Sequence, residues 1–403
     1  MEASLKLGNG DWGVKNDSLL AYDDFGGKFR PLPFDFTRAS SATVVNKQGL
    51  IETVQSGIPR IDFSDDANGA LKLEPQRTNR IPNSEDGSTW AFANLTLSSL
   101  SGGLNKEYYQ ITSLGNTGRF DVVQNNWVNL TAGTYTASVF AKKGTSDQII
   151  LTTRANFSSQ SAYSVFNLTS GTVVSNNGVT GSIEPYSDGW YRCAITFTNS
   201  GSYTDFASFA FGFDFNSSST DTLFVASPQS EIGSYATSYI PTQGAISTRL
   251  AETCSGGGDV NTFNSSEGVL GIEMVFNYVN TNNRITIGDG TNSNYLFLDF
   301  TTKTNLRYIY RVNNSTQMDV NVTLDDLTIN SKLAVTWKDQ EYKVYQNGNL
   351  KASGVIPVVA ANKFTTLNFS HYNGILNFYG NTKDVRVYKT ALSDSELISL
   401  TSL

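Results

Sequence analysis

The stretch AVTWKDQEYKVYQNG, residues 334–348, decides the fold. Apolar and polar residues alternate through it, as half-buried antiparallel strands require, and it ends in Asn347-Gly348, a pair suited to the positive φ angles of a tight hairpin turn. The same alternation marks GTYTASVFAKK at 133–143 and returns at Gln148–Thr153, Ala162–Asn167, Tyr295–Phe300, Arg307–Val312 and Lys383–Tyr388. Clusters of Gly, Asn, Asp and Ser punctuate these runs at the spacing of a β-sandwich. Only the tail departs from it, because Ser393 with Glu396 three residues on is a capping box that opens a short helix. The expected fold is all-β: a small β-rich N-terminal region, two antiparallel sandwich domains and a short C-terminal helix. The expected segments are 1–87 for the N-terminal region, 88–243 for the first sandwich, 244–267 for a linker containing Gly256-Gly257-Gly258, and 268–403 for the second sandwich.

Composition narrows the function. The chain of 403 residues is 16% charged, below the usual quarter, and carries 19 Tyr and 24 Phe, a profile of exposed β-sandwiches. Its net charge of −7, with no compensating basic stripe, disfavours nucleic acid and anionic membranes. No apolar run approaches the roughly 20 residues of a membrane-spanning helix, so membrane insertion is not expected. Cys193 and Cys254, the only two cysteines, are expected to be free thiols. A single histidine, His371, rules out both a histidine metal cluster and a triad with a spare base. Glu273 is a strand carboxylate without the partners that glycoside cleavage requires, so no catalytic residue is assigned.

Between residues 34 and 80 the sequence is a series of short β-prone pieces joined by turns, with Arg38, Arg60, Arg77 and Arg80 among Asp35, Glu52, Asp62, Asp65, Asp66 and Glu74. Mutual ion pairing is the expected arrangement. Within it, FTRASSAT at 36–43 resembles the N-terminal region of bacteriophage tail fibres and related virion appendages. Residues 189–192, GWYR, and the closing EIGSYATSYIPT at 231–242 resemble jelly rolls of the carbohydrate-binding-module type. YQNG at 345–348 and VRVYKTALSDSEL at 385–397 resemble concanavalin A-like and laminin G-like domains.

These resemblances imply a non-enzymatic virion protein, a tail fibre or receptor-binding protein that reads host surface carbohydrate. They further imply docking on other virion proteins through the N-terminal region, a homo-oligomer with a trimer favoured, and a place on the phage particle surface after synthesis in the host cytoplasm. The opening Met1-Glu2-Ala3-Ser4 gives no secretory signal, in keeping with that route. The alternatives are a head fibre or capsid decoration protein without a receptor role, and a polysaccharide depolymerase. No cofactor is expected. Structural calcium stays open, with Asp23, Asp24, Asp214, Asp289, Asp325 and Asp326 as candidate ligands. Sugar binding needs aromatic faces for pyranose rings and polar side chains for hydroxyls, and the candidates are Tyr109, Trp127, Tyr163, Tyr295, Tyr308, Tyr310, His371, Tyr372 and Asn373.

Overall fold

The computed structural model describes residues 2–23, 30–115, 122–126, 131–154, 162–199, 208–213, 218–276 and 283–403. The chain forms two compact units: residues 1–41, 54–75 and 250–403 make the first, and 42–53 and 76–249 the second. Both are antiparallel β-sandwiches, in line with the expected all-β class, and the helix Asp394–Thr401 (α1) closes the chain. Among the described residues no helix is long and apolar enough to cross a membrane.

In the first unit the principal strands, labelled in chain order, are β1 (Leu5–Gly8), β2 (Ser18–Asp23), β3 (Arg30–Thr37), β4 (Ala70–Leu73), β5 (Thr253–Ser255), β6 (Gly268–Val275), β7 (Asn283–Gly288), β8 (Tyr295–Thr302), β9 (Asn305–Val312), β10 (Ser315–Thr323), β11 (Ser331–Trp337), β12 (Tyr342–Gln346), β13 (Asn349–Gly354), β14 (Thr366–Asn368) and β15 (Gly380–Tyr388), with the short strands Gly13–Lys15 and Ile61–Asp62 beside β2 and β4. The larger sheet runs β5-β3-β2-β1-β15-β6-β11-β12-β13, with β4 also pairing with β15, and the smaller runs β10-β9-β8-β7-β14. Leu5 and Leu7, Phe34 and Phe36, Leu270 and Ile272, Leu296 and Leu298, and Tyr308 and Tyr310 each recur at every second position and fill one core between the sheets. Asn347 and Gly348 form the turn between β12 and β13 with φ of 50° and 77°, as the sequence requires. The α1 capping box is present in both directions and seats Leu397 on the outer face of the larger sheet with Val269, Ala334 and Tyr345.

The N-terminal residues are β-rich but not freestanding. β1 pairs with β15 from Leu5↔Val387 to Gly8↔Asp384, so the C-terminal strand holds the N-terminal one inside the sheet. The expected linker is likewise structured. Thr253–Ser255 pairs with Asp35–Thr37, and Phe263 is buried. Gly257 exchanges backbone hydrogen bonds with Leu367, and a Cβ there would lie 2.1 Å from the Phe34 ring, so the glycine run permits close packing rather than flexibility.

A buried charge cluster lies in this unit. Arg38 Nη1 donates to Glu252 Oε1 (2.7 Å) and its Nη2 donates to the Gln55 carbonyl (2.6 Å). Arg60 donates through Nε to Glu252 (2.8 Å) and through Nη2 to Glu74 (2.8 Å). The Arg38, Arg60 and Glu252 side chains are fully buried and Glu74 nearly so. Burial opposes the charge on Arg60, but Glu252 and Glu74 outweigh it and hold the guanidinium pKa above its ordinary value.

The second unit packs the sheet Ala91–Ala93, Val122–Asn126, Ser208–Gly212, Gln148–Arg154, Ala162–Asn167, Thr172–Asn177 against the sheet Leu95–Gly103, Lys106–Ser113, Thr222–Ile232, Gly133–Lys143, Trp190–Asn199, Thr180–Pro185. The GWYR and closing motifs serve this fold. Trp190 is buried with Phe140 and Tyr239, Arg192 donates to the Thr237 carbonyl, and Glu231 accepts from the Thr237 backbone and hydroxyl. Cys193 lies in this unit and Cys254 in the first; both are buried free thiols, with burial pushing their pKa values up.

Removing the acid that two buried guanidinium groups share leaves uncompensated charge, which costs about 3–5 kcal/mol. Glu252→Ala should therefore lower the stability of the first unit by that amount in urea unfolding. Glu74→Gln should cost clearly less, because Arg60 keeps Glu252.

Candidate functional site

Strand alternation sorts the candidate aromatics. β9 places Leu306, Tyr308, Tyr310 and Val312 inward, and Arg307, Ile309 and Arg311 on the other face. Tyr308 and Tyr310 are thus core residues, contrary to expectation, and their hydroxyls donate to the Thr336 and Ser265 carbonyls. Tyr109 is also core: it is 4% exposed and packs on Trp90 at 5.1 Å between ring centroids. Tyr163 is half-buried beside Ile150, Val165 and Ala210 in the second unit. Trp127 lies outside the described residues.

The remaining four candidates meet on the outer face of the smaller sheet. On β8, Tyr295, Phe297 and Asp299 face outward, opposite Arg311, Ile309 and Arg307 of β9. The turn His371–Gly374, closed by the Gly374 N–H to the His371 carbonyl (2.9 Å), lays its side chains over this face. Tyr372 stacks on Tyr295 (5.7 Å, 16° between planes), Tyr295 on Phe297 (5.2 Å, 25°), and His371 meets Phe297 edge-on (5.7 Å). Tyr295 and Phe297 are covered by this turn, while His371 and Tyr372 remain half exposed and Asn373 is exposed.

The margin is polar. Arg284 lies over Phe297 at 5.0 Å and pairs with Asp299 (2.9 Å), and Arg311 lies over Tyr295 at 6.0 Å. Asp299 Oδ1, Arg284 Nε, Arg311 Nε and Asn377 Oδ1 are buried without a hydrogen-bond partner among the described residues. Buried polar atoms without a partner are unusual in a folded protein. Sequence reading missed Phe297, Arg284, Asp299 and Arg311. The signal was available for three of them, because the charge of Asp299 among Leu296, Leu298 and Phe300 marks the outward parity of β8, and Arg311 does the same for β9.

Among the described residues no three His, Cys, Asp or Glu side chains gather to hold a metal ion. Of the calcium candidates, Asp23 pairs with Arg30, Asp325 with Lys351 and Asp326 with Lys303, while Asp289 caps its own loop through Thr291 and Asn294. Asp24 and Asp214 lie outside the described residues. Glu273 accepts from Asn330 (2.8 Å) and lies 3.7 Å from Lys332.

His371 Nδ1 is 2.8 Å from Asn373 Oδ1, an acceptor that also receives the Ile375 N–H, so the neutral ring carries its proton on Nδ1. Burial pushes the imidazole pKa below its ordinary value and the Arg284 charge adds to this, against the opposing hydrogen bond that the ring donates to Asn373. Its folded pKa is depressed, so its contribution to stability is complete above about 6.5, the unfolded value, and is lost as pH falls through the lower folded one. Because the chain has one histidine, proton NMR follows it without assignment. The imidazole resonances should titrate below the value in the urea-unfolded chain, and Arg284→Ala should move the midpoint up.

Residues 272–398 match the sequence model of the concanavalin A-like lectin/glucanases superfamily, so the C-terminal part of the chain is similar to that superfamily. Comparison with curated proteins gives no match. Among solved structures, the chain is similar to the CBM40 of the Ruminococcus gnavus IT-sialidase bound to α2,3-sialyllactose, at 16% identity over 37% of this chain and 94% of that one, with a TM-score of 0.31. It is similar to domain 4 of an extracellular GH43 arabinanase from Geobacillus stearothermophilus in complex with arabinotriose, at 16% identity over 41% and 81%, with a TM-score of 0.31. It is also similar to domains LG4-5 of the mouse laminin α1 chain, at 9% identity over 74% and 92%, with a TM-score of 0.24.

Proposed function

We propose that this protein is a bacteriophage virion protein, a tail fibre or receptor-binding protein, that recognises host cell-surface carbohydrate without cleaving it. The observation that carries the reading is the stack of Tyr372, Tyr295 and Phe297 bordered by Arg284 and Arg311. A half-exposed tyrosine offers a pyranose ring an apolar face, and the partly exposed Arg284 and Arg311 guanidinium groups beside it can donate to hydroxyls. The concanavalin A-like match over 272–398 supports the carbohydrate class, and the resemblance of FTRASSAT to phage appendages supports the virion setting.

A face built on one half-exposed ring and a polar margin binds one sugar weakly. Multiple copies raise the effective concentration of the second site, so the reading includes a homo-oligomer, a trimer by analogy with phage fibres, held on the particle through other virion proteins. The same analogy places the N-terminal region at that attachment.

The test is binding of labelled full-length protein to candidate host cells, with and without periodate oxidation of surface glycans. Binding should vanish after oxidation, and Tyr372→Ala should weaken it about tenfold, roughly 1.4 kcal/mol, with the melting temperature little changed. No binding by the intact oligomer would favour a head fibre or capsid decoration protein. Sugar release from host capsule would favour a depolymerase. Light scattering that gives a monodisperse monomer would overturn the oligomer.

A further inference from the structure

The larger sheet of the first unit carries a groove on its own outer face, in two connected parts of about 370 and 600 Å³ that share Asn9, Asp384 and Arg386. Strand register builds its floor. Gly8, Asp384, Glu273 and Lys332 lie side by side across β1, β15, β6 and β11, and Tyr22, Lys6, Arg386 and Gly271 form the next row across β2, β1, β15 and β6. The register of β15 against β6 shifts between Glu273 and Met274, which sets Lys383 aside as an extra residue and leaves Asp384 directly opposite Glu273. Such bulges re-aim side chains where a site needs them. Lys383 turns to Asp66 instead (3.1 Å).

The walls are aromatic at one end and apolar at the other. Trp12 is fixed by its Nε1 donating to the Asn68 carbonyl (2.8 Å) and lies so close over Gly8 that a Cβ there would be 2.8 Å from the ring. Tyr22 is held over Gly13 in the same way, with 2.8 Å from its hydroxyl to a Cβ at that position. The other end is closed by Leu392, just before α1, and Leu400 within it. On the floor, Arg386 Nε donates to Asp384 (2.8 Å) and Lys332 lies 3.7 Å from Glu273, so the charges are paired in sign. Acids and bases line the same groove, Lys6, Asp11 and Glu396 included, so a charged ligand would meet groups of its own sign, whereas neutral hydroxyls can donate to the carboxylates and accept from the guanidinium at once.

We propose that this groove is a second saccharide site, taking a neutral oligosaccharide whose pyranose ring lies on Trp12 or Tyr22 while its hydroxyls bond Asp384, Glu273 and Arg386. Residues 6–22 line most of one of its two parts and lie outside the 272–398 segment that matches the concanavalin A-like superfamily, so the site belongs to this chain's particular joining of N- and C-terminal strands. It stands independently of the His371 and Tyr372 face.

The experiment uses the full chain carrying Tyr372→Ala, which separates this site from that face. Saturation-transfer NMR and calorimetry are run with maltotriose, cellotriose, xylotriose and triacetylchitotriose as neutral probes, and with 3′-sialyllactose and deacetylated chitotriose as charged ones. At least one neutral trisaccharide should bind, more tightly than either charged probe, and binding should fall tenfold or more on Tyr22→Ala and on Asp384→Asn. Arg386→Lys keeps the charge and the strand but loses the guanidinium fork, and should weaken binding at least threefold where the other variants fail to fold. The proposal is overturned if no neutral probe binds, if a charged probe binds more tightly than all of them, or if folded variants bind as the parent does.

Discussion

Glu252 lies between two buried guanidinium groups and accepts from both, and the first unit is arranged around that contact. The chain leaves this unit after residue 41, returns at 54, leaves again after 75 and returns at 250. Arg38 and Glu74 stand just before the two departures, and Gln55 and Glu252 just after the two returns. All four meet: Arg38 bonds Gln55 and Glu252, Arg60 bonds Glu74 and Glu252, and the Glu74 N–H donates to Glu252 (2.9 Å). Two acids against two bases leave no net buried charge, and the many hydrogen bonds offset the desolvation that would otherwise make such a cluster a liability. The cluster thereby closes both excursions at their bases and fixes Thr253–Ser255 against β3.

This explains what the sequence shows and what it hides. The stretch 34–80 reads as strand pieces whose arginines find acids nearby, and in kind that is correct for Arg60 and Glu74. The acid that matters most is Glu252, 214 residues from Arg38 and 192 from Arg60, and nothing local announces it. Hairpins, the Asn347-Gly348 turn and the Ser393 capping box are legible because each is decided within a few residues. The insertion of β1 beside β15 is not, because both strands alternate as any half-buried strand does and the pairing partner is set by tertiary fit.

The candidate site divides along the same line. His371, Tyr372 and Asn373 follow from composition alone, since a histidine, an aromatic and an amide before a glycine make a polar turn. Tyr308 and Tyr310 are misplaced only if residue type is read without parity. On β9, Arg307 and Arg311 mark the solvent side, and a residue one step away must face the core. Parity also shows why Tyr295 and Phe297 can serve the site although they are nearly as buried as core residues. They stand on the outer side of β8, and what covers them is the turn at 371–374 rather than the opposite sheet.

A strand in this unit therefore does two things at once. β8 gives Leu296, Leu298 and Phe300 to the core and Tyr295, Phe297 and Asp299 to the outer face, while β6 gives Leu270, Ile272 and Met274 to the core and Gly271 and Glu273 to the groove. Side chains projecting from a sheet whose other side is close-packed cannot adjust independently, so their spacing is held by the 4.7–4.9 Å separation of neighbouring strands rather than by loop conformation. Saccharide recognition gains from that arrangement, because the ligand's own hydroxyls sit at fixed intervals on a ring and a preorganised row of partners loses little entropy in meeting them. On the smaller sheet the turn at 371–374 contributes four residues, and its hydrogen bond from Gly374 to His371, together with the His371 to Asn373 contact, makes that part short and braced. On the proposed reading, change in ligand preference should be sought at outward-facing positions that no buried cluster claims, such as Glu273, Arg307, Asp384 and Arg386, where a substitution alters the surface without touching the core that holds the row in place.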